Sequence, residues 1–200
     1  FHGFLEAVPA YSTLTVFYNP VEVGGNDPYE QVCQHLKERM SHGIQYKIPE
    51  RKVCIPVCYD EEFGLDLEEV AKSNGLSVEK VIEIHSSASY HVYFLGFAPG
   101  FPFLGGMDPS IATPRKKSPR LKVPAGSVGI AGYQTGIYPI ETPGGWQIIG
   151  RTPISLFHPD RNPPTFLLPG DEIRFVPITK DVYENWEDQT WEFTSQKEEC

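Results

Sequence analysis

Residues 90–106 read YHVYFLGFAPGFPFLGG, and the same mixture of glycine, proline, aromatic and aliphatic residues returns over 126–152. Between Gly96 and Gly170 lie 12 of the 18 glycines and 13 of the 19 prolines. A disordered Gly/Pro tract lacks apolar side chains to bury, and this one keeps them at short intervals. The glycines and prolines therefore mark turns, bulges and close backbone approaches inside a packed β structure. Loops fixed so firmly hold a surface rather than link domains.

Two hundred residues, 40% hydrophobic and 22% charged, are enough for one large or two small soluble domains with a real core. No apolar run reaches the roughly 18 residues of a membrane span, so a cytoplasmic protein is expected. The chain opens on Phe1 rather than Met, and its natural N-terminus is expected to be missing. Cys54 and Cys58 in VCIPVCY share one face of a strand; a lone C-x-x-x-C pair reads as buried thiols rather than a metal site. Of the net charge of −9, residues 181–200 carry −6, and this acidic tail reads as a solvated end. Residues 115–122, RKKSPRLK, hold five bases and no acid, a local anion-attracting loop. The chain as a whole is too acidic to make nucleic acid a partner.

Strand, loop and helix are expected in order up to residue 48. Residues 11–18 (YSTLTVFY) alternate as a β-branched and aromatic strand. Asp27 caps a helix with Pro28 at its first position, Val32, Leu36 and Met40 form its core-facing stripe, and Gly43 stops it. Residues 53–59 read as a strand whose Pro56 argues for an edge or bulge. Asp66 with Glu69 makes a capping-box-like start for a helix over 67–73, and Ser77 caps one over 78–85. Residues 90–95 are apolar on both faces, as in a central strand. Short segments separated by turns follow to residue 176, the spacing of a barrel or sandwich.

Several motifs fail on their context. Ala71, Gly75 and Val81 fall at helix-turn-helix offsets, but the acidic residues around them would repel phosphate, so a helical hairpin packed on a sheet is expected. Residues 125–129, AGSVG, approximate a nucleophile elbow around Ser127, yet IAGYQTG after it does not start the required helix. No glycine run ends in Gly-Lys-Ser/Thr, so no P-loop is present. His85 and His91 lack ligand spacing, and a satisfied structural histidine beside Tyr90 is favoured over catalysis. Thr113-Pro114-Arg115 and Ser118-Pro119-Arg120 can each present a guanidinium to a carboxylate or phosphate. The two converge only if residues 116–118 bend; a solvated basic loop is the alternative. Trp146 after Pro143-Gly144-Gly145 lines either a cleft or an aromatic core.

Residues 85–107 (HSSASYHVYFLGFAPGFPFLGGM), 112–153 and 167–178 (LLPGDEIRFVPI) together resemble the family of the B-type subunit of 5-oxoprolinase, also called the KipI or allophanate hydrolase subunit 1 family. The likeness runs from Val8 to Ile178, and GFAPGFPFLGGM with EEFGLDLEEVAKSNGLS is closest to its KipI branch in sporulating bacilli. The resemblance implies a mainly β fold with an α+β N-terminal part. It places a truncated ferredoxin-like domain, lacking its first strand and helix, at 1–50, a cyclophilin-like β-barrel at 51–180, and the acidic tail at 181–200. It also implies work with the A-type and C-type subunits of 5-oxoprolinase on 5-oxoproline, using ATP to give glutamate. The cyclophilin-like fold does not carry prolyl isomerase activity with it.

Two functions are compatible with that resemblance. The first is an enzyme subunit, expected to be inactive alone, which must help its partners bind a stable lactam. Arg115 or Arg120 would hold the substrate carboxylate, the turns at 126–132 would donate N–H groups, and Ser127, Gln134 and Tyr138 would be polar contacts. Phe97, Pro99, Gly100, Phe101, Phe103 and Trp146, with His85 nearby, would wall the cleft for substrate or partner. The second is a KipI-type inhibitor, whose same aromatic surface would dock on the dimerisation domain of a sporulation histidine kinase. It would be counteracted by KipA, the counterpart of the C-type subunit. A third and weaker reading is part of an allophanate hydrolase or urea carboxylase. No metal site is expected.

Overall fold

The computed structural model describes residues 1–10, 12–41 and 51–186. The expected helix stop at Gly43, and residues 187–200 of the acidic tail, lie outside the described residues. The chain divides into two compact units, Phe1–Pro49 and Glu50–Cys200.

In the first unit β1 (Phe4–Pro9) and β2 (Leu14–Tyr18) pair antiparallel, with Val8 opposite Thr15. The sequence reading begins at residue 11 and misses β1, whose partner strand alone carries the β-branched signal. Helix α1 (Pro20–Val23) starts where Asn19 Oδ1 accepts from Val21 N at 3.1 Å. Helix α2 (Pro28–Ser41) is capped as expected, Asp27 Oδ1 accepting from Glu30 N at 3.0 Å. Its stripe fades along the helix: Val32 is buried, while Met40 is 80% exposed.

The second unit contains β3 (Lys52–Cys58), α3 (Leu67–Ser73), α4 (Val78–Ser87), β4 (Tyr90–Leu95) and β5 (Pro102–Gly105). A 3₁₀ turn at Pro109–Ile111 follows, then β6 (Arg120–Val123), β7 (Ser127–Ala131), β8 (Gln134–Ile137), β9 (Thr142–Gly144), β10 (Gln147–Arg151), β11 (Glu172–Ile178) and α5 (Lys180–Glu184). Seven of these strands close into a barrel in the order β10-β3-β11-β4-β5-β8-β7, and β6 with β9 forms a separate two-stranded ribbon. The protein is thus mainly β, and its Gly/Pro-rich half supplies most of the barrel.

Closure explains two departures from the sequence reading. Strand β3 is interior to the barrel despite Pro56, because β10 meets it only at Arg151 opposite Cys58. The ladder is open beside Pro56 on that side, so its missing N–H forfeits no pairing there. Strand β4 is also interior, but only Tyr90 and Val92 point inward while His91 and Tyr93 face solvent. A barrel buries one face of each strand unless helices cover the outside. On β3, Cys58 is the buried free thiol expected, whereas Cys54 is disulfide-bonded rather than free.

Inside lie Val53, Ile55, Val57, Leu104, Ile130 and Phe175. Helix α3 packs on β10 and α4 on β11, with Val70, Ala71 and Val81 buried and Gly75 turning between them at φ +65°. The helix-turn-helix offsets therefore encode a helical hairpin on a barrel. Beyond Ile178 the chain folds again: the Tyr183 ring lies 4.3 Å from that of Phe63, and Trp186 packs on the main core. The first residues of the acidic segment are therefore part of the packed unit. No helix among the described residues is long and apolar enough to cross a membrane.

Candidate functional site

The 112–120 loop leaves the barrel and crosses the start of α3. Its path is set by Asp66, the residue before that helix. The expected capping bond is not made: the Asp66 side chain does not bond α3 at all. Its carboxylate accepts from Arg120 Nη1 at 2.7 Å, Arg120 Nη2 at 2.8 Å, Lys116 Nζ at 2.8 Å and Ile148 N at 2.7 Å. Asp66 N donates in return to Ile148 O at 2.7 Å. A carboxylate that is only 4% exposed is thus fully satisfied, and it pins both the basic loop and β10 to α3. Burial pushes the Asp66 carboxyl up, but Arg120, Lys116 and the Ile148 N–H outweigh it and hold it below the usual carboxylate range.

Beside this knot is a cleft of about 590 Å³. Its cations are Arg115, Lys116 and Lys117, its acids are Asp66 and Glu69, and Thr113 and Gln147 also line it. Lys116 is committed to Asp66, whereas Arg115 and Lys117 are exposed and have no acidic partner among the described residues. Two uncommitted cations in one cleft attract anions. The Arg115 guanidinium carbon stands 5.9 Å from the centre of the Trp146 ring, a cation–π contact that joins the cleft to an aromatic cluster. In that cluster the Phe101 ring lies 5.5 Å from Trp146, 5.4 Å from Tyr138, 5.1 Å from Phe103 and 5.5 Å from Phe97.

Of the residues singled out in the sequence, the structure brings Arg115, Trp146, Tyr138, Phe101, Phe103 and Phe97 into one continuous patch. Trp146, Tyr138 and Phe101 are buried, so they form its foundation rather than an open wall; Phe97 is 70% exposed. Pro99 is exposed beside Phe97, and Gly100 is buried against Leu156 and Phe157. Arg120 does not line the cleft, its guanidinium being taken by Asp66. The loop does bend, at Lys117 and Ser118, and the two arginines diverge in role: one is free, one is structural. Ser127 is buried at the start of β7 and leads into a strand, and Gln134 is half-buried at the start of β8. His85 belongs to the barrel interior. Its Nδ1 is 2.8 Å from Tyr59 Oη and its Nε2 3.0 Å from Thr135 Oγ1, which donates to Gly129 O at 3.0 Å. Burial lowers the His85 pKa to about 3, so the ring is neutral and structural.

Two residues of the site escape sequence reasoning. Asp66 reads locally as a helix cap, and its partners lie 50 and more residues away. Gln147, next to Trp146, carries no motif, yet it is only 7% exposed and its Nε2 donates to Pro114 O at 2.9 Å. The turns at Gly126 and Gly132 do not form a phosphate loop for a nucleoside triphosphate. Gly126 and Gly132 have positive φ but lead into strands rather than a helix N-terminus, and Lys116 is already ion-paired.

Residues 1–167 match the family model for the carboxyltransferase domain, subdomain C and D. The chain is 55% identical over 197 residues to the B-type subunit of 5-oxoprolinase from Bacillus subtilis, covering 95% of this chain and 82% of that protein. It is 49% identical over 179 residues to the same subunit from Escherichia coli O157:H7, covering 89% and 80%. Among solved structures, a conserved uncharacterized protein of Pyrococcus horikoshii superposes with a TM-score of 0.65 at 53% identity, over 90% of this chain and 81% of that one.

Proposed function

We propose that this chain, which belongs to the carboxyltransferase subdomain C and D family and within it to the B-type subunits of 5-oxoprolinase, serves as that subunit in an ATP-dependent enzyme. With the A-type and C-type subunits it opens 5-oxoproline to glutamate. The observation that carries this reading is the high identity to the B-type 5-oxoprolinase subunits along almost the whole chain. The cleft supports it, because its two uncommitted cations suit a small carboxylate substrate.

In the reaction, water adds its oxygen to the lactam carbonyl carbon, the ring C–N bond breaks, and the nitrogen takes up a proton to become the amine of glutamate. ATP is a substrate of the assembled complex, and its hydrolysis drives the opening of a stable amide. This chain's contribution is binding and orientation. Arg115 and Lys117 hold the substrate carboxylate, Trp146 backs the Arg115 guanidinium, and Asp66 fixes the loop that carries both cations. The test is ATP-dependent conversion of 5-oxoproline to glutamate by the chain co-expressed with the A-type and C-type subunits, each left out in turn. Loss of turnover without this chain is expected; turnover that survives its omission would sink the proposal.

A second reading is favoured by Phe97, a largely exposed aromatic held at φ +68° on the loop after β4. Strain of that kind on an exposed side chain suits a protein contact, and a KipI-type inhibitor of a histidine kinase, relieved by a KipA-like partner, would use it. Titration of the purified protein against a kinase dimerisation domain checks this reading, which falls if micromolar concentrations give no complex.

A further inference from the structure

Gln147 Oε1 is buried and has no hydrogen-bond donor. The other polar groups on that side of the cleft are satisfied. Thr113 Oγ1 donates to Ile111 O at 3.2 Å and accepts from Asn74 Nδ2 at 3.0 Å. Both Asp66 oxygens are occupied, and Gln147 Nε2 donates to Pro114 O at 2.9 Å. The amide is oriented by that last bond, since reversing it would set Oε1 against a carbonyl oxygen. A buried acceptor left without a donor is unfavourable, and its presence beside a cleft calls for a ligand that donates.

The anchor of the Gln147 amide is the carbonyl of Pro114, the residue that precedes Arg115. The cleft is therefore lined both by the residue that carries this acceptor and by the arginine that follows its anchor. Arg115 and Lys117, which line the same cleft, are exposed and free of acids among the described residues. Glu69, the remaining carboxylate of the cleft, lies on α3 and accepts from Ser73 Oγ at 3.5 Å.

We infer that Gln147 determines substrate specificity: its Oε1 accepts the ring N–H of a cyclic amide whose adjacent carboxylate is held by Arg115 and Lys117. This rests on the reading of the chain as part of a 5-oxoprolinase, and it names the atom that distinguishes a lactam from its carbocyclic isostere. In 5-oxoproline the N–H and the carboxylate sit on neighbouring ring atoms, which suits a cleft lined by both Gln147 and the cations. A site built around a buried acceptor rejects an isostere that cannot donate, because the acceptor then stays unpaired.

The experiment is calorimetric titration of the complete complex, without ATP, with 5-oxoproline and with 3-oxocyclopentane-1-carboxylate, in which CH₂ replaces the ring N–H. The wild type is expected to bind the lactam at least about tenfold more tightly. Gln147→Met should bring the two affinities together. Gln147→Leu, which also removes the acceptor, should abolish the preference in the same way, and it serves if Gln147→Met does not fold. Equal affinities in the wild type, or a preference that survives Gln147→Met, would overturn the inference and leave Oε1 to a water molecule. A preference that survives Gln147→Leu would overturn it as well. If the preference and its loss are both seen while the complex with ATP makes no glutamate, the binding inference stands and the enzymatic reading fails.

Discussion

Asp66 and Arg120 meet end-on across 54 residues of sequence, Nη1 to Oδ2 at 2.7 Å and Nη2 to Oδ1 at 2.8 Å. The same carboxylate also holds Lys116 and the Ile148 N–H, so removing it strands two cations and a buried donor. Breaking such a pair from one side costs about 3 kcal/mol or more. Asp66→Asn should lower stability by that order in a denaturant titration. Because the folded carboxyl titrates below the unfolded one, its stabilisation is complete above the unfolded pKa of about 4 and is lost as pH falls through the lower folded value. The variant should therefore lose less stability than the wild type on acidification below about pH 4. An unchanged acid limb would show that the pair does not carry this dependence.

The two arginines separate binding from stability. Arg115 is exposed and contacts the Trp146 ring, so Arg115→Ala should leave the thermal midpoint almost unmoved while reducing kcat/KM of the reconstituted oxoprolinase by about 100-fold, as expected when a charged ligand loses its main cation. Arg120→Ala should do the reverse in the isolated chain, destabilising it by about 2 kcal/mol, because the buried Asp66 carboxylate keeps only Lys116 and the Ile148 N–H. Turnover and thermal melts on both variants decide it. Equal losses of activity at equal stability would place both guanidiniums in the substrate site.

Much of the fold was legible because its signals are local. Turn residues among short β-branched segments announce a barrel, and Ser77 and Asp27 mark helix starts that the structure keeps, Ser77 Oγ accepting from Lys80 N at 3.2 Å. The site was legible only in part. Arg115 stands out by its motif, and Trp146 by its neighbours. Asp66 could not be read, because an acid before a helix looks like a cap and its true partners are fixed only when the 112–120 loop crosses α3. Gln147 is invisible for a related reason: its meaning is a missing donor, a property of packing rather than of sequence. The same limit applies to Met40, whose spacing promised burial that the helix does not deliver.

His85 gives a second pH dependence. Thr135 gives its proton to Gly129 O, so His85 Nε2–H donates to Thr135 and Nδ1 accepts from Tyr59, a neutral chain closed at both ends. Burial lowers the folded pKa to about 3, against about 6.5 in the unfolded chain. The unfolded state binds the extra proton first, so stability is complete above about pH 6.5 and declines by about 1.4 kcal/mol per unit as pH falls toward the folded value. The His85 ring should show an Nε2–H tautomer and no titration between pH 5 and 8 in ¹⁵N-edited spectra. A shift with a midpoint near 6.5 would place the ring in contact with solvent.

Gly126 and Gly132 bracket β7, and both have positive φ, +81° and +60°. They differ in what a side chain would meet. At Gly126 an added Cβ would come within 2.4 Å of Thr152 O, a backbone atom tied in place because Thr152 N donates to Gly126 O at 2.9 Å. At Gly132 nothing lies within 4 Å. Gly132→Ala should therefore cost only the left-handed penalty of about 1 kcal/mol. Gly126→Ala adds a backbone clash that the β7–β10 pairing cannot relieve without moving, and should cost about 3 kcal/mol or more. Denaturant unfolding of the two variants side by side measures the difference. Comparable losses would mean that the Thr152 strand end yields, and that the close approach at Gly126 is not what holds this corner of the barrel shut.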